Sequence, residues 1–163
     1  MIRSKKILFF LAAALLFAAY LVYDHLSDSP EKRVKKCMNQ AIESVEKGDV
    51  MGLMSIVSRD YHDTLGLDFA AVSGIAVRTL TKYKDIKVKI INLKIEISGQ
   101  NAIATFSARA DATDATTIRP DGSLPERLSY YKEQVVVRFK SSDGRYLVEE
   151  TAGVNPNEWG IGF

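Results

Sequence analysis

Acidic, phenolic and imidazole side chains occur in three places along the chain where they could carry out acid–base chemistry. Tyr61, His62 and Asp63 are consecutive. Two later segments of alternating apolar and polar residues contribute Tyr131, Glu133 and Glu150. A carboxylate in apolar surroundings has a raised pKa and can exchange a proton with a bound molecule, as can a histidine. These six residues form the candidate pocket.

The same groups also fit a structural role. Acids near strand ends are usually hydrated, and a histidine beside an aspartate is commonly a capped loop residue. Because a buried carboxylate without a partner is costly, we assign no catalytic residue. The chain has one cysteine, Cys37, and two histidines, which excludes an internal disulfide and a multi-histidine metal centre within one chain. We expect no metal site and no cofactor.

Three helices are predicted ahead of the alternating segments. Ser29 and Pro30 are typical of a helix start, and apolar residues then recur at three- and four-residue spacing until Gly48. Asp49 and Asp68 are predicted to cap a second and a third helix. Cys37 lies on the apolar side of the first helix, where we interpret it as a small core residue rather than a nucleophile.

Four strands are predicted after Lys84, at about 86–98, 102–118, 124–140 and 145–153. The apolar positions change parity across Ile91 and Asn92, which predicts a β-bulge there. Consecutive strands joined by tight turns form an antiparallel meander.

Alternation along the last two strands orients the candidate acids. Counting back from Val135 places Tyr131 and Glu133 on the inward side, and counting on from Val148 places Glu150 there. We therefore expect all three to point into the concave side of the sheet.

This order of elements resembles the nuclear transport factor 2-like (NTF2-like) cone fold. The local likeness lies in the Gly48-Asp49 join, in residues 58–61 after the second helix, and in residues 143–148. The resemblance implies an α+β domain, with three helices on the concave face of a curved four-stranded antiparallel sheet and a pocket at its open end. Members include isomerases, dehydratases, polyketide cyclases, transport adaptors and secretion-machine subunits, so the fold does not select a function.

The N-terminus is predicted to be a membrane anchor. Arg3, Lys5 and Lys6 precede an apolar run at residues 7–23, long enough to approach a bilayer span. A cleaved signal peptide is the alternative, but the only triplet of small residues lies deep inside the run. We expect a single-pass protein of the inner membrane with a cytoplasmic N-terminus and a domain exported to the periplasm or cell exterior.

The exported part is formally neutral. Three of the 22 cations and one of the 20 anions lie in residues 1–26, which leaves 19 of each in residues 27–163. Nucleic acid is therefore not an expected partner, because phosphate binding along a duplex needs a surplus of Lys and Arg. We divide the chain into an anchor at 1–26, a tether at 27–30 and one domain at 31–163.

The C-terminal tail, residues 154–163, contains three large apolar side chains, Trp159, Ile161 and Phe163. They could close the domain's own pocket as a lid, or dock a second subunit as an interface. The leading hypothesis is a non-enzymatic envelope protein whose cone-fold domain binds a small apolar ligand or a partner protein, including a second copy of itself. The alternatives are an isomerase, dehydratase or cyclase that uses the pocket acids, and an assembly subunit of an envelope or secretion complex.

Overall fold

Three helices precede a four-stranded sheet in the computed structural model, which describes residues 29–116 and 127–155. The sheet is antiparallel throughout, with the strands in chain order. The elements are α1 (Pro30–Lys47), α2 (Val50–Met54), α3 (Phe69–Lys82), β1 (Tyr83–Ser98), β2 (Asn101–Asp114), β3 (Arg127–Ser142) and β4 (Arg145–Ala152). The predicted three helices and four-stranded meander are confirmed. The strands shift by a few residues, and residues 117–126 lie outside the described part of the chain.

The helix ends follow from their capping residues. The Ser29 hydroxyl accepts a hydrogen bond from the Lys32 backbone N–H at 3.3 Å. Gly48 ends α1 with φ of +69°, a left-handed conformation that costs glycine least. Asp49 and Asp68 each accept a hydrogen bond from the backbone N–H three residues later, at 2.9 and 2.8 Å. The predicted helix starts are therefore confirmed.

The main core lies between α1 and the sheet. Two alanines of β2, Ala102 and Ala104, are only 1% and 0% exposed and leave room for α1 to approach closely. Cys37 is buried in this core, and burial raises the pKa of its thiol to about 11. It is therefore protonated at neutral pH, as expected of a core residue. The buried residues of this cluster are Val34, Cys37, Met38, Ile56, Ala102, Ala104, Phe139 and Tyr146.

The bulge predicted in β1 is present. The pairing of β1 with β2 shifts between Ile91 and Lys94, and Asn92 between them has φ of +56°. Ile90 and Leu93, on either side of the shift, both pack against the main core. The inward parity therefore changes across the bulge, as the apolar pattern indicates.

The sequence did not predict a bulge in β3. Phe106 of β2 is paired with Val135, but Ala108 is paired with Lys132, so three steps along β3 face two along β2. Gln134 lies inside this interval with φ of +54°. The extra residue reverses which side chains of β3 face inwards before that point.

The predicted anchor at 1–26, with its apolar run at 7–23, lies outside the described residues, as do Trp159, Ile161 and Phe163 of the tail. Among the helices of residues 29–116 and 127–155, none has the length and apolar character needed to cross a membrane. The anchor and the tail therefore stay predictions.

Candidate functional site

The concave face of the sheet is sealed at one end. Ala104, Val135 and Phe139 have exposed fractions of 0%, 4% and 2%. Ala104 and Phe139 belong to the main core beneath α1, which contributes Val34 and Met38 to the same cluster. No ligand could reach this half of the face without displacing the helix.

The face continues beyond the helix along β2. Ala108 lies opposite Ile90, and Ala110 lies opposite Val88. Directly opposed residues share a face of a sheet, and both β1 residues pack against apolar clusters on the concave side. Ala108 and Ala110 therefore point inwards, yet both are only partly buried.

The neighbouring strand completes this region. Tyr130 and Lys132 are paired with Ala110 and Ala108, so they share the concave face. Both are partly buried, and Leu128, two positions further along, is 39% exposed. We call Ala108, Ala110, Leu128, Tyr130 and Lys132 the open half of the concave face. It combines a floor of small side chains with a wall that contains an aromatic ring.

Two predicted pocket residues lie on the opposite side of the sheet. Tyr131 is 51% exposed, and Glu133 is also exposed. The prediction that they point inwards is wrong, because it counted alternation back from Val135 across the bulge at Gln134. The inserted residue moves both to the outer face and puts Tyr130 inside.

Glu150 is displaced for the same reason. It lies opposite Arg138, and their Oε2 and Nε atoms are 3.5 Å apart on the outer face. The next pair is Phe139 with Val148, so Glu149 is an extra residue in β4. The prediction that Glu150 points inwards assumed unbroken alternation after Val148. It is wrong because of this bulge.

The loop residues form a structural turn. The buried Tyr61 hydroxyl lies 3.4 Å from Asp63 Oδ2, and Asp63 Oδ1 accepts hydrogen bonds from two loop N–H groups at 2.9 and 2.8 Å. Burial raises the pKa of the Tyr61 phenol, an effect that hydrogen bonding with Thr151 partly offsets. His62 is exposed, with Nδ1 3.1 Å from the Asp60 carbonyl oxygen. A ligand-binding role for these loop residues stays a prediction.

Comparison with known proteins settles the fold. No protein-family model and no curated protein sequence matches the chain. A solved candidate scytalone dehydratase from Novosphingobium aromaticivorans superposes with a TM-score of 0.63 at 14% identity, covering 74% of this chain and 80% of that one. A candidate dehydratase of the NTF2-like family from Streptomyces avermitilis gives 0.60 at 13% identity, covering 76% and 94%. The fold is NTF2-like.

A third similar structure belongs to a longer protein. The Bd1075 protein of Bdellovibrio bacteriovorus superposes with a TM-score of 0.60 at 11% identity over 76% of this chain. The present chain spans only 40% of the length of that protein. Identities this low establish the fold alone, so the resemblance stated from the sequence is confirmed at the level of fold.

Within this NTF2-like cone, the carboxylates of Asp63 and Asp114 serve structural roles. Asp63 organises the loop, as described above. Asp114, at the end of β2, accepts hydrogen bonds from the backbone N–H and the hydroxyl of Thr116 at 2.9 and 2.7 Å, and its other oxygen lies 3.9 Å from Lys82 Nζ. Across residues 29–116 and 127–155, no group of three His, Cys, Asp or Glu side chains could hold a metal ion.

Proposed function

We propose that this chain is a membrane-anchored binding protein whose NTF2-like domain holds a small apolar ligand in the open half of the concave face. The observation that carries the proposal is the change in burial along one face. Ala104 is fully buried beneath α1, whereas Ala108 and Ala110 of the same strand and the same face are partly accessible.

The chemistry of the open half favours an apolar ligand. Alanine methyl groups form its floor, and the Tyr130 ring and the Leu128 side chain border it. Lys132 adds one cationic side chain, whose methylene stem can contact an apolar ligand. A ligand that removes about 200 Å² of apolar surface from water gains roughly 5 kcal/mol at about 25 cal/mol per Å². Part of that gain is offset by the lost freedom of the ligand, so we expect a dissociation constant in the millimolar range.

Proton transfer is the less favoured function. The dehydratase names of the two similar structures describe those proteins, and the fold alone does not transfer the activity. In this chain Glu133 is exposed on the outer face and Glu150 is paired there with Arg138. Tyr61 has a raised pKa and is protonated at neutral pH, so it could donate a hydrogen bond but could not act as a base.

A bulky side chain on the floor should block the ligand. We expect Ala108→Phe to weaken binding of the neutral fluorescent probe N-phenyl-1-naphthylamine to residues 27–163 at least tenfold, because the ring would occupy the open half. Probe fluorescence during titration measures this. Ser107→Phe is the matched control, since its neighbouring position faces the opposite side of the sheet. Equal loss in both variants, or no loss in Ala108→Phe, would contradict the site.

The anchor is part of the same proposal and has its own test. The charged tip followed by the apolar run at 7–23 supports an uncleaved signal anchor with the domain exported. We expect the mature protein to keep residues 1–26 and to stay in the membrane fraction after an alkaline wash. N-terminal sequencing that finds a new end between Ala19 and Ser29, with the protein in the soluble fraction, would overturn the anchor.

A further inference from the structure

We infer that a second site, a groove beside the start of α1, binds an anion of the phosphate type. The groove has a volume of about 150 Å³ and lies between α1, the residues after α2 and the β3–β4 turn. Among residues 29–116 and 127–155, the charged residues that line it are all cations: Arg33, Lys36 and Arg145. It involves none of the residues of the open half, so the two proposals stand independently.

Arg33 is held in place by its surroundings. Its Nη1 donates a hydrogen bond to the Gly144 carbonyl oxygen at 3.1 Å, and its guanidinium carbon lies 5.6 Å from the centre of the Tyr146 ring. Its Nε is buried and has no acceptor among the residues that the structure describes. A guanidinium fixed in this way loses little freedom when an anion binds, and it still has N–H groups to donate.

No acidic residue of the described ranges lines the groove. Nearby on α1, Lys35 is paired with Glu31 at 2.7 Å. Lys36 and Arg145, by contrast, form no ion pair with any residue of 29–116 or 127–155. Asp143, in the β3–β4 turn, is exposed and does not line the groove. Three cations around one small space attract an anion, and the attraction weakens with added salt.

Two neutral polar side chains that line the groove are hydrogen-bonded within the protein. Gln40 Nε2 donates to the Ser55 hydroxyl at 3.2 Å, and that hydroxyl donates to the Gly52 carbonyl oxygen at 2.7 Å. The groove therefore recognises its ligand mainly through cationic N–H donors. A phosphate group presents several acceptor oxygens and a negative charge, which matches this set of donors.

Two sources could supply this phosphate: a phosphorylated solute, or the headgroup of an anionic phospholipid. The second is within reach, because α1 begins at Pro30, only seven positions after the apolar run ends at Tyr23. Both sources share one chemistry, and an experiment with two arms distinguishes them.

The test uses the full chain in nanodiscs. In one arm, inorganic phosphate is titrated calorimetrically into chain held in phosphatidylcholine. In the other, phosphatidylglycerol is added to the disc, and hydrogen exchange is followed in residues 142–147. We expect binding in at least one arm, and Lys36→Gln or Arg145→Gln should weaken it about tenfold, as loss of a charge-assisted hydrogen bond does.

Lys47→Gln is the matched control, since it removes one exposed cation from the other end of the same helix. A response to phosphate alone assigns a solute, a response to phosphatidylglycerol alone assigns a lipid headgroup, and a response to both assigns the shared group. Each of these supports the site if Lys36→Gln or Arg145→Gln weakens the response and Lys47→Gln leaves it intact; a response that neither groove variant weakens would overturn the site. No response in either arm, or an equal loss in Lys47→Gln, would overturn it.

Discussion

Phe139→Ala is expected to lower the free energy of unfolding by about 3–5 kcal/mol, whereas Tyr131→Ala should change it by no more than about 0.5 kcal/mol. Both aromatic residues occupy odd-numbered positions of β3, so simple alternation would bury both. Phe139 is 2% exposed within the main core, and Tyr131 is 51% exposed on the outer face. The difference arises from the bulge at Gln134 that separates them.

Urea denaturation of the two variants, followed by circular dichroism, measures this difference directly. The slope of the unfolding transition should be unchanged in both, so that the midpoints report stability. A cost for Tyr131→Ala comparable with that of Phe139→Ala would mean that Tyr131 is inside and that β3 has no bulge. The open half of the concave face would then be wrongly assigned.

Gly153→Ala is expected to destabilise the fold by about 3 kcal/mol or more, well beyond the cost of Gly99→Ala. Both glycines have positive φ, +83° and +58°, where a side chain costs about 1–2 kcal/mol. A Cβ at Gly153 would also lie 2.5 Å from the backbone oxygen of Gln134, whereas at Gly99 nothing lies within 4 Å. The additional loss of stability in Gly153→Ala, relative to Gly99→Ala, therefore reports the close approach of the end of β4 to the bulge in β3.

Thermal unfolding of the two glycine variants separates these causes. Gly99→Ala carries only the conformational cost, so the difference between the variants isolates the contact with Gln134. Equal melting temperatures for the two variants would show that the end of β4 does not lie against the bulge.

The helices and the bulge at Ile91 and Asn92 could be predicted because several local signals agree. The boundaries of α1 are specified by its sequence, with Ser29 and Pro30 at its start and Gly48 at its end. In β1, three apolar residues on each side of Ile91 and Asn92 define two parities, so the insertion between them is visible. The register of a strand can be predicted where apolar and polar residues alternate over several positions.

The bulges in β3 and β4 could not be predicted because the residue types on either side of them do not define two different parities. Tyr130 and Tyr131 are adjacent, so an aromatic ring faces inwards in either register. Glu149 and Glu150 are likewise adjacent, so the extra residue in β4 leaves the pattern unchanged. The pairing of β3 with β2 and of β4 with β3 decides these registers. Because of the two bulges, Glu133 and Glu150 lie on the outer face.

The open half was missed for a related reason. Alanine at 108 and 110 looks like packing space for a helix, and the same small residues at 102 and 104 do serve that purpose. Which alanines are covered depends on where α1 ends over the sheet, and the local sequence does not specify that. Tyr130 and Lys132 face inwards because of the bulge at Gln134, which the local sequence does not indicate.

Alanine methyl NMR of residues 27–163 with bound N-phenyl-1-naphthylamine tests the central claim most directly. The open half predicts intermolecular contacts and shifts at the methyl groups of Ala108 and Ala110, since both point into the accessible part of the concave face. It predicts none at Ala102 and Ala104, which are sealed beneath α1. Contacts confined to alanines outside β2, or contacts at Ala104 without any at Ala108, would contradict the proposed binding site.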